Sequence, residues 1–95
     1  MPKKVAVVIK EKDRQYEGLR SSLGLLLEQH QVTMFVLDHE IDMTEAYRDN
    51  MEFIDEMDGA RFSDVAANVE RFGFHAIARE NVGRALSESD LVIPF

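Results

Sequence analysis

The segment KVAVVIK at residues 4–10 decides the fold, because it places five apolar residues in a row, Val5 to Ile9, between charged side chains. Four of these five residues are β-branched, which favours an extended backbone. A short and fully apolar run of this kind is typical of a strand that is buried on both faces of a parallel sheet. The segment therefore predicts the first strand of such a sheet.

Helical and extended patterns alternate after this strand. Leucines recur at three- and four-residue steps within residues 16–30, which predicts a helix with one apolar face. The run VTMFVL at residues 32–37 predicts a second strand. The sequence DMTE at residues 42–45 has the pattern of a capping box and predicts that a second helix begins at Asp42. An apolar stripe along this helix is expected to face the core: Met43, Tyr47, Met51, Ile54 and Met57.

The second half of the chain continues the alternation with three short strands and two helices. Strands are expected at residues 60–62, 75–78 and 91–95, and helices at residues 64–72 and 80–87. Ser63 is suited to cap the first of these helices, and Gly73 is suited to close it.

Two glycines interrupt the first predicted helix, at positions 18 and 24. A glycine inside a helix costs about 1 kcal/mol relative to alanine. Either a close approach by another part of the protein requires Gly18 and Gly24, or the helix simply tolerates them, and the sequence leaves both interpretations open.

The alternation of strands and helices predicts an α/β fold, a three-layer α/β/α sandwich with a mostly parallel sheet of four or five strands. The 95 residues are enough for one core and show no linker or repeat, so residues 1–95 are interpreted as a single domain. A chain this short buries a modest share of its surface, which favours self-association as a supplement to the core.

The charge of the chain argues against two classes of partner. Eleven Lys and Arg residues face 18 Asp and Glu residues, which gives a formal net charge of −7. This charge repels a phosphate backbone and an anionic membrane surface, so neither nucleic acid nor a membrane is expected as a partner. The amino-terminal apolar run is too short for a secretory signal or a membrane span, so a cytoplasmic location is expected.

The sequence contains no cysteine. This excludes disulfides, thiolate metal ligands and a thiol nucleophile in this chain. The loop at residues 10–15 also lacks the glycines that would let a backbone cradle phosphate. No cofactor is therefore expected.

In an open parallel sheet, ligands bind beyond the carboxyl ends of the strands. The loops expected there are residues 10–15, 38–42, 63–64 and 79–81. The polar side chains that would lie nearest to a small ligand are Asp13, Tyr16, Asp38 and His39.

The loop after the second predicted strand contains four candidate ligands or acid/base groups: Asp38, His39, Glu40 and Asp42. Neighbouring residues of one loop rarely converge on one point, so neither a metal site nor a catalytic residue is expected. An acid/base enzyme that uses His39 with Asp38 or Asp42 stays as a lesser alternative.

Five segments of the chain resemble the DsrE-like proteins, the small DsrE/DsrF/DsrH and Tus-type domains of sulfur relays. They are KKVAVVIK at residues 3–10, YEGLR at 16–20, LGL at 23–25, VTMFVL at 32–37 and ALSESDLVIPF at 85–95. The resemblance spans almost the whole chain and implies the same α/β fold.

Relay members of this family carry a persulfide-forming cysteine near the start of the helix after the third strand. The resemblance puts Val65, or a position within a couple of residues of it, at that place. It implies a non-catalytic subunit that acts through oligomerisation or docking in a sulfur-relay complex, either as a homo-oligomer or with a related cysteine-bearing subunit. A stand-alone domain that binds a small ligand is the main alternative.

Overall fold

The structure of the protein is a computed structural model that describes residues 2–95. Five strands and four helices alternate, and a short 3₁₀ turn, Lys12–Arg14, precedes the first helix. The strands are β1 (Lys4–Ile9), β2 (Gln31–Val36), β3 (Ala60–Ser63), β4 (His75–Ala76) and β5 (Leu91–Pro94), and the helices are α1 (Gln15–Leu27), α2 (Glu45–Glu56), α3 (Ala66–Phe72) and α4 (Arg79–Ser87).

All five strands belong to one parallel sheet in the order β4-β3-β2-β1-β5. β1 lies between β2 and β5, and every residue from Val5 to Ile9 is buried. The predicted α/β/α sandwich is confirmed, and its sheet has five parallel strands.

The helices divide unequally between the two faces of the sheet. Apolar residues of α1, α2 and α3 pack in one cluster with Val5, Val7 and Ile9 of β1. α4 packs alone on the opposite face, where Val82 contacts a smaller cluster that contains Ala6 and Val8. This division follows from right-handed crossovers, because the chain steps from β1 to β4 in one direction and α4 then carries it back to β5.

The second helix starts later than the capping-box pattern predicts. The helical cap is Thr44, whose hydroxyl oxygen accepts a hydrogen bond of 3.0 Å from the Tyr47 N–H group. Asp42 is engaged elsewhere, because its N–H group donates to the Gln15 side chain and its carbonyl accepts from the same side chain. The prediction that this helix begins at Asp42 was therefore wrong by two residues.

The prediction that Ser63 caps the third helix was also wrong. Ser63 is the last residue of β3, where it pairs with Val36, and its side chain is buried. The cap of α3 is Val65, which offers no side-chain hydrogen bond. Gly73 does close the helix, with a left-handed φ of 72° that suits glycine.

Arg61 and Tyr47 are among the polar side chains buried in the protein. The Arg61 guanidinium donates two hydrogen bonds to the Asp55 carboxylate, at 2.7 and 2.9 Å, and one of 3.0 Å to the Phe72 carbonyl. The hydroxyl of Tyr47 is buried without a hydrogen-bond partner among residues 2–95. Burial raises the pKa of this hydroxyl well above its usual range, although the Arg61 charge acts in the opposite direction.

None of the helices within residues 2–95 has the length and apolar character needed to cross a membrane.

Candidate functional site

The loops that follow the parallel strands meet at one edge of the sheet, as the sequence predicts. Asp38 follows β2, Asp64 follows β3, and Arg79 begins α4 after β4. These three residues come from segments far apart in the chain, since Asp38 and Arg79 are separated by 41 positions. The sheet order places them together because β2, β3 and β4 are adjacent.

A charged cluster forms where these three segments meet. The Arg79 guanidinium donates hydrogen bonds to both carboxylate oxygens of Asp38, one of them at 3.1 Å. A second carboxylate, that of Asp64, lies 3.5 Å from Arg79 and accepts a 3.0 Å hydrogen bond from the Asp38 N–H group. The backbone of Asp38 is in the left-handed region, with a φ of 70°. The cluster fixes the direction of Arg79 at the rim of the sheet.

The buried side-chain amide of Asn68 holds the loop of residues 38–42 in place. The Asn68 side chain accepts a 2.9 Å hydrogen bond from the Ile41 N–H group and donates to the His39 carbonyl at 2.9 Å and to the Ser63 hydroxyl at 3.1 Å. Ser63 in turn donates to the Val36 carbonyl at 2.7 Å. Asn68 and Ser63 therefore position the backbone of the loop, because they bond backbone groups before it and within it.

The four polar side chains of residues 38–42 diverge. Asp38 contacts Arg79, Glu40 lies 3.4 Å from Arg71, and Asp42 lies 3.3 Å from Lys12. Within residues 2–95, no group of three or more His, Cys, Asp or Glu side chains is arranged to hold a metal ion.

His39 is directed back toward its own strand. Its Nδ1 atom lies 2.9 Å from the Leu37 carbonyl oxygen, and its Nε2 atom is buried without a hydrogen-bond partner among residues 2–95. The carboxylates of Asp38 and Asp42 pair with Arg79 and Lys12 instead. The acid/base pair considered for His39 is therefore not assembled in this structure.

The other two predicted ligand-binding residues lie on the side of α1. Asp13 is exposed in the turn before α1 and forms no ion pair within the described part of the chain. The Tyr16 hydroxyl accepts a 3.2 Å hydrogen bond from Asn50 of α2. No hydrogen bond of the described residues joins Asp13 or Tyr16 to Asp38 or His39, so the four residues do not form one cluster.

The position that the family resemblance gives to a cysteine lies at a helix start. Val65 is the cap residue of α3, and its N–H group donates a 3.1 Å hydrogen bond to the Ser63 hydroxyl. A shallow depression of about 220 Å³ adjoins it, between α3 and the segment after β4. Its lining combines the apolar side chains of Val65, Ala66 and Ile77 with Ser63, Asp64 and Glu70, and it contains no thiol.

A larger groove lies on the face of the sheet that α4 covers. It has a volume of about 410 Å³ and runs between α4 and the carboxyl halves of β1 and β5. The loops at its rim are predictable from the sequence but the groove is not, because an empty space between a helix and a sheet has no pattern in the sequence. Arg79 lines this groove and also belongs to the charged cluster, and no sequence pattern marks it for either position.

No family model and no curated protein matches this chain.

Proposed function

We propose that this protein is a cytoplasmic, non-catalytic DsrE-like subunit that acts by assembling with another chain through the outer edge of β5. The observation that carries the proposal is an apolar edge strand that is exposed on both of its sides. Leu91 and Val92 retain 44% and 40% of their accessible surface. Neighbouring strand residues point to opposite faces of a sheet, so both faces of the sheet are apolar at this edge.

The strand lacks the charged side chains that commonly protect an edge, although it is short and contains Pro94. β5 ends the sheet and pairs only with β1, and its four residues, LVIP, include no charged side chain. Natural edge strands are commonly shortened, charged or covered, because their free N–H and C=O groups would otherwise pair with another chain. The opposite edge follows this rule, since β4 has only the two residues His75 and Ala76.

The backbone of β5 leaves one N–H group free at its outer edge. The Phe95 N–H group donates to the Val8 carbonyl at 2.7 Å, and the Phe95 carbonyl accepts from the Lys10 N–H group at 2.9 Å, so both backbone groups of Phe95 face β1. Alternation along the strand puts the N–H groups of Leu91 and Ile93 on the β1 side as well, and directs Val92 and Pro94 outward. Because Pro94 has no N–H group, the N–H and C=O groups of Val92 are the pair available for bonding to a second chain.

A second copy of this chain is the partner that fits this edge. Two β5 strands related by a twofold axis would pair in antiparallel fashion and join two five-stranded sheets into one. Such an interface is self-complementary, because each copy offers the same outward N–H and C=O groups and the same apolar side chains.

The resemblance to DsrE-like proteins extends this proposal to sulfur relays. A chain without cysteine cannot hold a persulfide, and Val65 stands at the cap of α3, where the resemblance expects the thiol. In a relay, this subunit would serve to position a related cysteine-bearing chain that docks on the same edge. Co-purification of such a chain from the source cells tests this part of the proposal.

Sedimentation velocity over a concentration series tests the role of β5. We expect the wild-type protein to dimerise and Leu91→Lys to stay monomeric, because the substitution places a charge in the interface. Leu27→Lys is the matched control, since Leu27 is 66% exposed at the end of α1, away from β5. A wild-type protein that stays monomeric and captures no related chain, or a Leu91→Lys variant that dimerises like the wild type, would overturn the proposal.

A further inference from the structure

We infer that the groove between α4 and the β1–β5 pair is a binding site for a small organic monoanion with an aliphatic or aromatic body. This site goes beyond the assembly role proposed above; it shares Val92 with the edge of β5 but does not include Leu91. Its volume of about 410 Å³ falls within the range of small-ligand sites, roughly 300–1,000 Å³.

The topology puts the groove where open α/β sheets bind ligands. β1 is followed by α1, which leads to β2 on one face of the sheet, whereas β5 is reached through α4 on the other face. The order of the strands therefore reverses between β1 and β5. The crevice beyond the carboxyl ends of the strands at such a reversal is the usual ligand position in this class of fold.

The walls of the groove are apolar, and its rim carries the cations Lys10 and Arg79. Val8, Leu37, Val82 and Val92 are among the apolar lining residues. At the rim, Lys10 follows β1 directly and forms no ion pair within residues 2–95, and Arg79 is held in place by Asp38 and Asp64. Because Arg79 is paired with two carboxylates, it is not available to a ligand, and Lys10 is the cation at the rim without an ion pair within residues 2–95, which favours a ligand with a single negative charge placed beside Lys10.

Gly83 keeps the groove open. Arg79, Gly83 and Leu86 line it from α4 at spacings of four and three residues, so they share one side of the helix. A Cβ atom added at Gly83 would have no heavy atom within 4 Å. A large side chain at this position would therefore enter free space beside the groove without disturbing the core.

Nuclear magnetic resonance titration with octanoate tests the site, with octan-1-ol and octylamine as probes of equal chain length. We expect saturable shifts of the amide signals of Gly83 and Val92 with octanoate, and weaker binding of the alcohol and the amine. Lys10→Gln is expected to weaken octanoate binding about threefold to tenfold and to leave octan-1-ol binding unchanged. Lys3→Gln, at the other end of β1, is the matched control and is expected to bind like the wild type.

Gly83→Leu is expected to weaken octanoate binding at least tenfold, and Gly24→Leu is its control, because Gly24 also has free space around it but lies on α1. Shifts that do not saturate, equal binding of the three probes, or equal losses for the two glycine variants would overturn the inference. The titration is repeated on Leu91→Lys, whose substitution lies on the opposite face of β5. If that variant still binds octanoate, the groove is a binding site whether or not the assembly proposal holds.

Discussion

Gly18 of α1 lies directly against Ile9, the last residue of β1. A Cβ atom at position 18 would come within 2.4 Å of both Cγ1 and Cδ1 of Ile9, a distance that real side chains do not adopt. Ile9 is itself fully buried. This contact sets the distance between α1 and the sheet, and hence the position of the loop that carries Lys10.

Gly18→Ala and Gly24→Ala are expected to change stability in opposite directions. The methyl group at position 18 must displace Ile9, so this variant should lose about 1–3 kcal/mol in the free energy of unfolding. At position 24 the added Cβ meets nothing within 4 Å, so the better helix propensity of alanine should add up to about 1 kcal/mol. Urea denaturation checks both values, and a Gly18→Ala variant as stable as the wild type would contradict the packing described here.

The fold could be predicted from the sequence because its signals are local. The β-branched run at Val5 to Ile9 and the leucine spacing of α1 each specify an element without help from the rest of the chain. The two wrong helix starts, at Asp42 and Ser63, depend on tertiary contacts. Asp42 is engaged with Gln15 across 27 positions, and Ser63 bonds Val36 across another 27. Capping propensity alone cannot show which polar residue is already occupied.

Asn68→Ala is expected to lower the free energy of unfolding by about 2–4 kcal/mol. The substitution removes three hydrogen bonds and leaves the buried N–H group of Ile41 without its acceptor. Asn81→Ala is the matched control, because Asn81 is exposed on α4, and it should change stability by less than about 0.5 kcal/mol. Equal losses in the two variants, measured by urea denaturation, would show that Asn68 does not support the loop.

Tyr47→Phe is expected to stabilise the protein by about 1 kcal/mol at neutral pH, because it removes a buried hydroxyl without a partner and keeps the shape of the ring. Since burial raises the pKa of Tyr47 above its ordinary value of 10.0, the unfolded chain loses this proton first as the pH rises. Above pH 10 the free energy of unfolding of the wild type should therefore fall more steeply with pH than that of Tyr47→Phe. Tyr16→Phe, which removes a surface hydroxyl, should keep the wild-type alkaline dependence. An alkaline loss of the same size in Tyr47→Phe would contradict this account.

Salt is expected to strengthen the proposed dimer. Each copy carries a net charge of −7, so the two copies repel each other, and the repulsion is screened as the Debye length falls from about 10 Å at 0.1 M to about 3 Å at 1 M salt. The apolar contacts of Leu91 and Val92 do not weaken under these conditions. Sedimentation equilibrium should therefore give a lower dimer Kd at the higher salt concentration. A higher Kd would indicate an interface held by ion pairs.

The candidate sites were only partly predictable. The loops at the carboxyl edge follow from the parallel sheet alone, and Asp38 and His39 do lie there. The residues that they contact could not be predicted from the sequence. The Asp38–Arg79 contact depends on the strand order β4-β3-β2, which local sequence patterns leave open. The groove beside Gly83 could not be predicted either, because it depends on the placement of α4 by itself on one face of the sheet.

Residue-resolved hydrogen exchange in β5 tests the assembly proposal most directly. The N–H group of Val92 points to the free edge, whereas that of Phe95 is bonded to Val8 in each copy. We expect Val92 to become protected as the protein concentration rises, while Phe95 exchanges slowly throughout. Dimers in which Val92 exchanges as fast as it does in the monomer would contradict the proposal.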